Sequence, residues 1–107
     1  MNLEKYTIKI SLSASEDLKQ IALYIKTALK VPSTARNYLK LLRQEIDKLS
    51  ILPKRHEVIE KEKINQSNVR KLIVKNYIIF YVVDDEEKIV NIERILYGAS
   101  DWMNKLQ

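Results

Sequence analysis

The stretch from Val69 to Gly98, VRKLIVKNYIIFYVVDDEEKIVNIERILYG, limits what this chain can become more than any other. It contains successive strand patterns divided by recognisable turns. Tyr77 to Val83 is an unbroken apolar run rich in β-branched and aromatic residues, which predicts a central strand buried on both faces. Val69 to Val74 reaches it through Lys75-Asn76, where an asparagine suits the positive φ of a tight hairpin. On its far side Asp84-Asp85-Glu86-Glu87 places carboxylates side by side. Their mutual repulsion predicts an exposed turn. Ile89 to Tyr97 then completes an antiparallel meander and stops at Gly98, the sole glycine.

Upstream, Tyr6, Ile8, Ile10 and Leu12 alternate with polar residues, the pattern of a half-buried first strand. Ser13-Ala14-Ser15-Glu16 fits a capping box, predicting a helix start at Ser13. Leu18, Ile21, Ala22, Ile25, Ala28 and Leu29 give that helix an apolar stripe until Val31-Pro32 breaks it. A second helix, capped by Ser33, carries Ala35, Tyr38, Leu39, Leu42, Ile46 and Leu49 and is ended by Pro53. Helices joined so briefly form an antiparallel hairpin. After Gly98, a tail from Ala99 to Gln107 makes about two helical turns. It is too short to stand alone and must pack through Trp102, Met103 or Leu106. The expected fold is therefore α+β: a helical hairpin on a four-stranded antiparallel sheet, order β-α-α-β-β-β, with a short C-terminal helix. Ile21, Ile25, Leu39, Leu42, Ile46, Ile79, Phe80 and Tyr81 are expected in its core.

A length of 107 residues predicts one domain over 1–107 with a single core. Nineteen Lys and Arg against 14 Asp and Glu give a formal charge of +5 and a pI near 9.4, which favours an anionic partner. The absence of cysteine excludes a disulfide framework, and a lone histidine argues against a metal enzyme, so no metal or cofactor is expected. Without a membrane-spanning apolar run, and with charges where a signal peptide needs an apolar core, the expected location is cytoplasmic.

By alternation, Arg70 shares a face with Leu72 and Val74, and Arg94 with Val90, Ile92 and Leu96. One reading has each guanidinium snorkel out or pair with a carboxylate. The other has both project from one sheet face into a phosphate-binding concavity, which suits a planar, permanently charged fork. Lys54 to Asn68 loses periodicity and reads as an exposed loop or short irregular strand leading into Arg70. Its Lys54, Arg55, His56, Lys61 and Lys63 are either a solvated surface or groups hanging over what the meander binds.

The order of elements resembles the RelE/ParE superfamily of bacterial type II toxins. So do Ile10-Ser11-Leu12-Ser13-Ala14-Ser15-Glu16-Asp17-Leu18, the run from Arg70 to Tyr81, and Ile92-Glu93-Arg94-Ile95-Leu96-Tyr97-Gly98-Ala99-Ser100-Asp101. The resemblance covers nearly the whole chain and implies a toxin neutralised by a cognate antitoxin. RelE-like members cut messenger RNA on the ribosome, whereas ParE-like members poison DNA gyrase. The ending resembles the ParE-like and plasmid-stabilisation branch, although that branch commonly has His at Tyr97 and Arg at Ser100. Nuclease members set basic residues and a C-terminal Tyr or His around the scissile phosphate, places that Arg70, Arg94 and Tyr97 would fill. The chain lacks a counterpart of the Glu and paired His used by some members.

Ribosome-dependent, metal-independent RNA cleavage is the mechanism expected on these residues, with gyrase inhibition as the alternative. Attack of a 2′-hydroxyl on the adjacent phosphate needs a base, an acid and cations for the phosphorane. Arg70 and Arg94 would be the cations and Tyr97 the acid or orienting hydroxyl. His56, or a lysine of the loop, would be the base. Lys54, Arg55, Lys61, Lys63 and Lys71 would bind RNA. Two further classes, a bare RNA-binding module and a pure protein-interaction domain, differ in whether Tyr97→Ala abolishes toxicity with the fold intact.

Overall fold

The computed structural model describes residues 3–29, 32–60 and 67–106. Strand β1 (Thr7–Ile10) leads into helix α1 (Leu12–Leu29) and helix α2 (Pro32–Asp47). Short 3₁₀ turns at Lys48–Ser50 and Pro53–Arg55 follow, then β2 (Arg70–Val74), β3 (Tyr77–Asp84), β4 (Ile89–Tyr97) and helix α3 (Trp102–Lys105). Element order and class match the expectation. The strands form one sheet in the order β1-β4-β3-β2. It is mixed, not antiparallel throughout: β1 runs parallel to β4, Thr7 opposite Ile89 and Ile10 opposite Ile92. The long helical hairpin carries the chain back to the end where β1 began, so the meander's last strand meets β1 in the same direction.

Two apolar layers hold the sheet. On the helix side Tyr77, Ile79 and Tyr81 of β3 pack with Ile21 and Ile25 of α1 and with Leu42 and Ile46 of α2. On the other side Ile78, Phe80 and Leu96 pack with Ile59, Val69 and Leu106, while Trp102 stacks its ring 5.2 Å from Phe80. Alternate residues of β3 thus serve opposite layers, which is why its sequence is apolar throughout. Of the expected core residues only Leu39 is half-buried, packed on the edge of the helix-side cluster. No described helix is long and apolar enough to cross a membrane.

Local details differ from the sequence reading, each for a physical reason. Helix α1 starts earlier than Ser13 because Ser11 caps it, accepting a 2.9 Å bond from Ala14 N–H while its hydroxyl donates to Glu93 O at 2.8 Å. That second bond comes from β4, a long-range partner invisible to a local motif. Pro32 is the first residue of α2, where its missing N–H costs nothing, so Ser33 lies inside the helix. The same helix gives way to a 3₁₀ turn after Asp47, well before Pro53. In the β2–β3 turn Lys75, not Asn76, takes the positive φ of 55°. Gly98 has ordinary φ, and its lack of a side chain matters for space: its N–H donates to Asn76 O at 2.7 Å, and a Cβ would lie 3.3 Å from that oxygen. The acidic turn after β3 is exposed, as expected.

Candidate functional site

Arg70 opposes Tyr81, whose ring belongs to the helix-side layer, and Arg94 opposes Phe80, whose ring belongs to the other. The two arginines therefore stand on opposite faces, and the shared concavity expected of them does not form. The cause is a β-bulge. Tyr81 pairs with Ile92 and Phe80 with Arg94, leaving Glu93 as an extra residue that resets the alternation. Arg94 consequently parts from Val90 and Ile92, which face the helices, and joins Leu96 on the other side.

Each arginine is held by specific acceptors. Arg94 Nε and Nη2 donate to the two oxygens of Asp17 at 2.8 and 2.9 Å, and Nη1 reaches Lys105 O at 3.4 Å. The same carboxylate accepts Ile95 N–H at 2.9 Å, an amide in the strand just after the bulge. This hydrogen-bonded pairing with Asp17 raises the pKa of Arg94. Asp17 thus joins α1, β4 and, through Arg94, the C-terminal helix. Sequence reasoning missed it, because an acid on a helix flank carries no mark of a partner seventy-seven positions away.

Arg70 Nη1 donates to the carbonyls of Lys54 and His56, at 3.0 and 2.6 Å. Those carbonyls are turned towards it by the bend at Leu52, which takes a left-handed φ of 49°, and by buried Pro53, whose own carbonyl accepts the Tyr81 hydroxyl at 2.6 Å. Antiparallel bonding continues with Val58 opposite Arg70, so part of the expected loop is a short edge pairing and Ile59 is buried beneath it. His56 meets Tyr81 edge-on at 6.5 Å. Burial lowers its pKa first, then Arg55, with Arg70 adding slightly against an opposing pull from Glu45. Burial and the neighbouring cations thus favour the neutral ring, whose Nε2 is buried without a hydrogen-bond partner among the described residues. Burial also drives the Tyr81 phenol up to about 12, so it stays a donor.

The expected RNA-binding cations divide. Arg55 is wrapped on the carbonyls of Lys48, Ile51 and Leu52, and Lys54 pairs with Asp85, which also accepts from Tyr6. Lys71 lies on the other face, 3.2 Å from Glu57 and 5.7 Å above the Trp102 ring. Lys61 and Lys63 fall outside the described residues.

Tyr97 is distant from Arg70. Arg70 is level with Tyr81, and Tyr97 with Tyr77 and Val74, which puts them about 13 Å apart along the strands and about 10 Å across. Half-exposed Tyr97 instead joins Tyr24, Tyr38 and Tyr77 around a cleft of about 450 Å³ that Ile25 and Ala28 also line. Tyr77 lies 5.9 Å from Tyr38 and 5.8 Å from Tyr97, and burial, then the neighbouring phenols, raises its pKa. The sequence signal was present, since Tyr24 and Tyr38 each sit on a helix stripe or its flank, but only the fold brings them together. Among the described residues no group of three His, Asp or Glu is placed to hold a metal ion.

The model of one protein family, the ParE toxin of the type II toxin–antitoxin system parDE, matches residues 8–102. The chain belongs to the ParE toxin family. Solved ParE-like folds agree. The chromosomal ParDE toxin–antitoxin system from P. aeruginosa superposes with a TM-score of 0.70 at 18% identity, covering 88% of this chain and 97% of that one. The toxin–antitoxin complex RelBE2 from Mycobacterium tuberculosis superposes at 0.63 with 21% identity, covering 92% and 98%. At such identities the likeness is one of fold. No curated protein matches the sequence.

Proposed function

We infer that this ParE-family toxin acts by binding a protein target, DNA gyrase, and that an antitoxin encoded beside it neutralises it. The observation that carries this reading is the dispersal of the groups a nuclease would gather. Arg70 and Arg94 are on opposite faces, each engaged by internal acceptors, and Tyr97 is at the far end. A phosphorane needs its cations, acid and base within hydrogen-bond reach of one phosphate. Exposed tyrosines and a basic surface suit protein recognition instead.

RNA cleavage on the ribosome is the second reading, favoured by one feature. Lys54, Arg55, His56 and Arg70 share a shoulder of the sheet, and a neutral His56 has a ring nitrogen able to accept a proton. The purified toxin separates the two. Inhibition of gyrase supercoiling with messenger RNA left whole on translating ribosomes is the expected result. Codon-positioned cuts that disappear in His56→Ala would instead establish the nuclease. In cells, pulse-labelling after induction should show DNA synthesis falling before protein synthesis. Co-expression of the neighbouring antitoxin should restore growth.

A further inference from the structure

Four of the side chains around the cleft of about 450 Å³ are phenols, and none of the described residues that line it carries a charge. Tyr77 meets Tyr38 at 84° and Tyr97 at 59°, with ring centroids 5.9 and 5.8 Å away, so the three rings form a corner and not a stack. Burial, then Tyr38, Tyr24 and Tyr97, raises the Tyr77 pKa, which places the other three phenols close enough to act on its oxygen. Of the four hydroxyls only that of Tyr38 has a protein partner among the described residues, accepting the Asn76 N–H at 3.4 Å. Tyr24 and Tyr97 are 66% and 51% exposed, so the cleft is reached from solvent.

Each class of ligand meets these walls differently. An aliphatic side chain fills the space but offers nothing to the phenol oxygens. A carboxylate or phosphate would accept from the hydroxyls while facing the negative faces of the rings. A cation is attracted to those faces, and its N–H groups donate to the unpaired oxygens. Between the two cationic side chains the guanidinium fits better. It is planar and weakly hydrated and stacks on a ring while its edge donates, whereas an ammonium holds its water more tightly. No lysine or arginine of this chain lines the cleft among the described residues, so the cation comes from outside. The net charge of +5 opposes it at long range, but at physiological salt that repulsion is screened beyond about 8 Å.

We propose that the tyrosine cleft is a cation site that takes an arginine side chain of the toxin's protein target. This rests on the gyrase reading above and adds the group that is recognised. Tyr97 acts here through its ring, where RNA cleavage would need its hydroxyl.

The test has two arms, both on the full-length toxin. In the first, N-acetylarginine amide is titrated while the tyrosine ring signals are followed by NMR, beside the citrulline, leucine and glutamate counterparts. Citrulline is nearly isosteric with arginine but uncharged. Arginine should shift the signals of Tyr24, Tyr77 and Tyr97 saturably, with citrulline weaker by about tenfold. Equal binding of citrulline, a preference for leucine or glutamate, or no saturable shift with arginine overturns the proposal. In the second arm, Tyr97→Leu should raise the concentration needed to inhibit gyrase supercoiling by about tenfold, and Tyr97→Phe, which restores the ring, should recover most of that loss, with both melting curves unchanged. Equal potency of Tyr97→Leu and Tyr97→Phe, whether full or impaired, overturns it as well. A parent toxin that binds arginine selectively yet leaves supercoiling untouched fails the gyrase reading instead, and the source assigned to the arginine falls with it.

Discussion

The middle of the sheet and its hairpin end solve opposite problems with similar side chains. In the middle, Arg70, Arg94, Asp17 and Tyr81 each meet a specific acceptor or donor: carbonyls after the bend at Leu52 accept from Arg70 and Tyr81, and the Asp17 carboxylate accepts from Arg94 and the Ile95 amide. At the hairpin end, Tyr24 and Tyr97 are exposed and Tyr38 is half-buried, around a Tyr77 that is buried in the helix-side layer with Tyr38 and Tyr97 against its ring. One of their few polar contacts is a long 3.4 Å bond from Asn76 N–H to the Tyr38 hydroxyl. Polar residues that look functional in sequence have been recruited to hold the fold. Two aromatic residues that look like core, Tyr24 and Tyr97, have been left at a surface.

On that contrast, substitutions in the middle cost stability and those at the exposed hairpin end do not. Asp17→Ala should have the largest effect. It strands a guanidinium that is only 29% exposed and unpairs the Ile95 amide, for a loss of about 2–4 kcal/mol in urea denaturation. Asp17→Asn, which can still accept from Ile95, should lose less. A double-mutant cycle with Arg94→Leu should show strong coupling, and additive losses would mean that the two residues act independently. Tyr81→Phe should follow at about 1–2 kcal/mol, because the buried Pro53 carbonyl loses its donor.

His56 gives a smaller, pH-dependent effect. Its folded pKa lies below its ordinary value of 6.5, so between the two the unfolded chain binds more protons. The stability owed to a neutral His56 is therefore complete above pH 6.5 and declines as the pH falls towards the folded value. His56→Phe should flatten the stability difference between pH 7.5 and pH 5.5. An unchanged slope would assign that dependence to other groups. Smallest of all, Tyr24→Ala should leave unfolding within about 0.5 kcal/mol of the parent, as expected of an exposed surface position. A loss comparable to that of Tyr81→Phe would place the cleft among the structural elements and erase the contrast.

The elements themselves were legible because period and punctuation are local properties. The apolar run of β3, the acidic turn after it, the helix stripes and the Val31-Pro32 break need no knowledge of the rest of the chain, and the order of elements followed from them. The direction of β1 was not legible, since alternation in Tyr6, Ile8 and Ile10 marks a strand without saying which neighbour it pairs with or which way. The site was lost at one residue. A period-two count through β4 presumes an uninterrupted ladder, and Glu93 interrupts it, sending Arg94 to the face opposite Arg70. The bulge is stabilised by Ser11 on its carbonyl and Asp17 beyond it, contacts supplied by α1 and its cap only after the chain has folded back. Sequence determined which residues are apolar, charged or turn-forming. Which charges were available to meet a partner was decided by tertiary contact, because a guanidinium's freedom depends on acceptors that only the assembled fold brings within 3 Å.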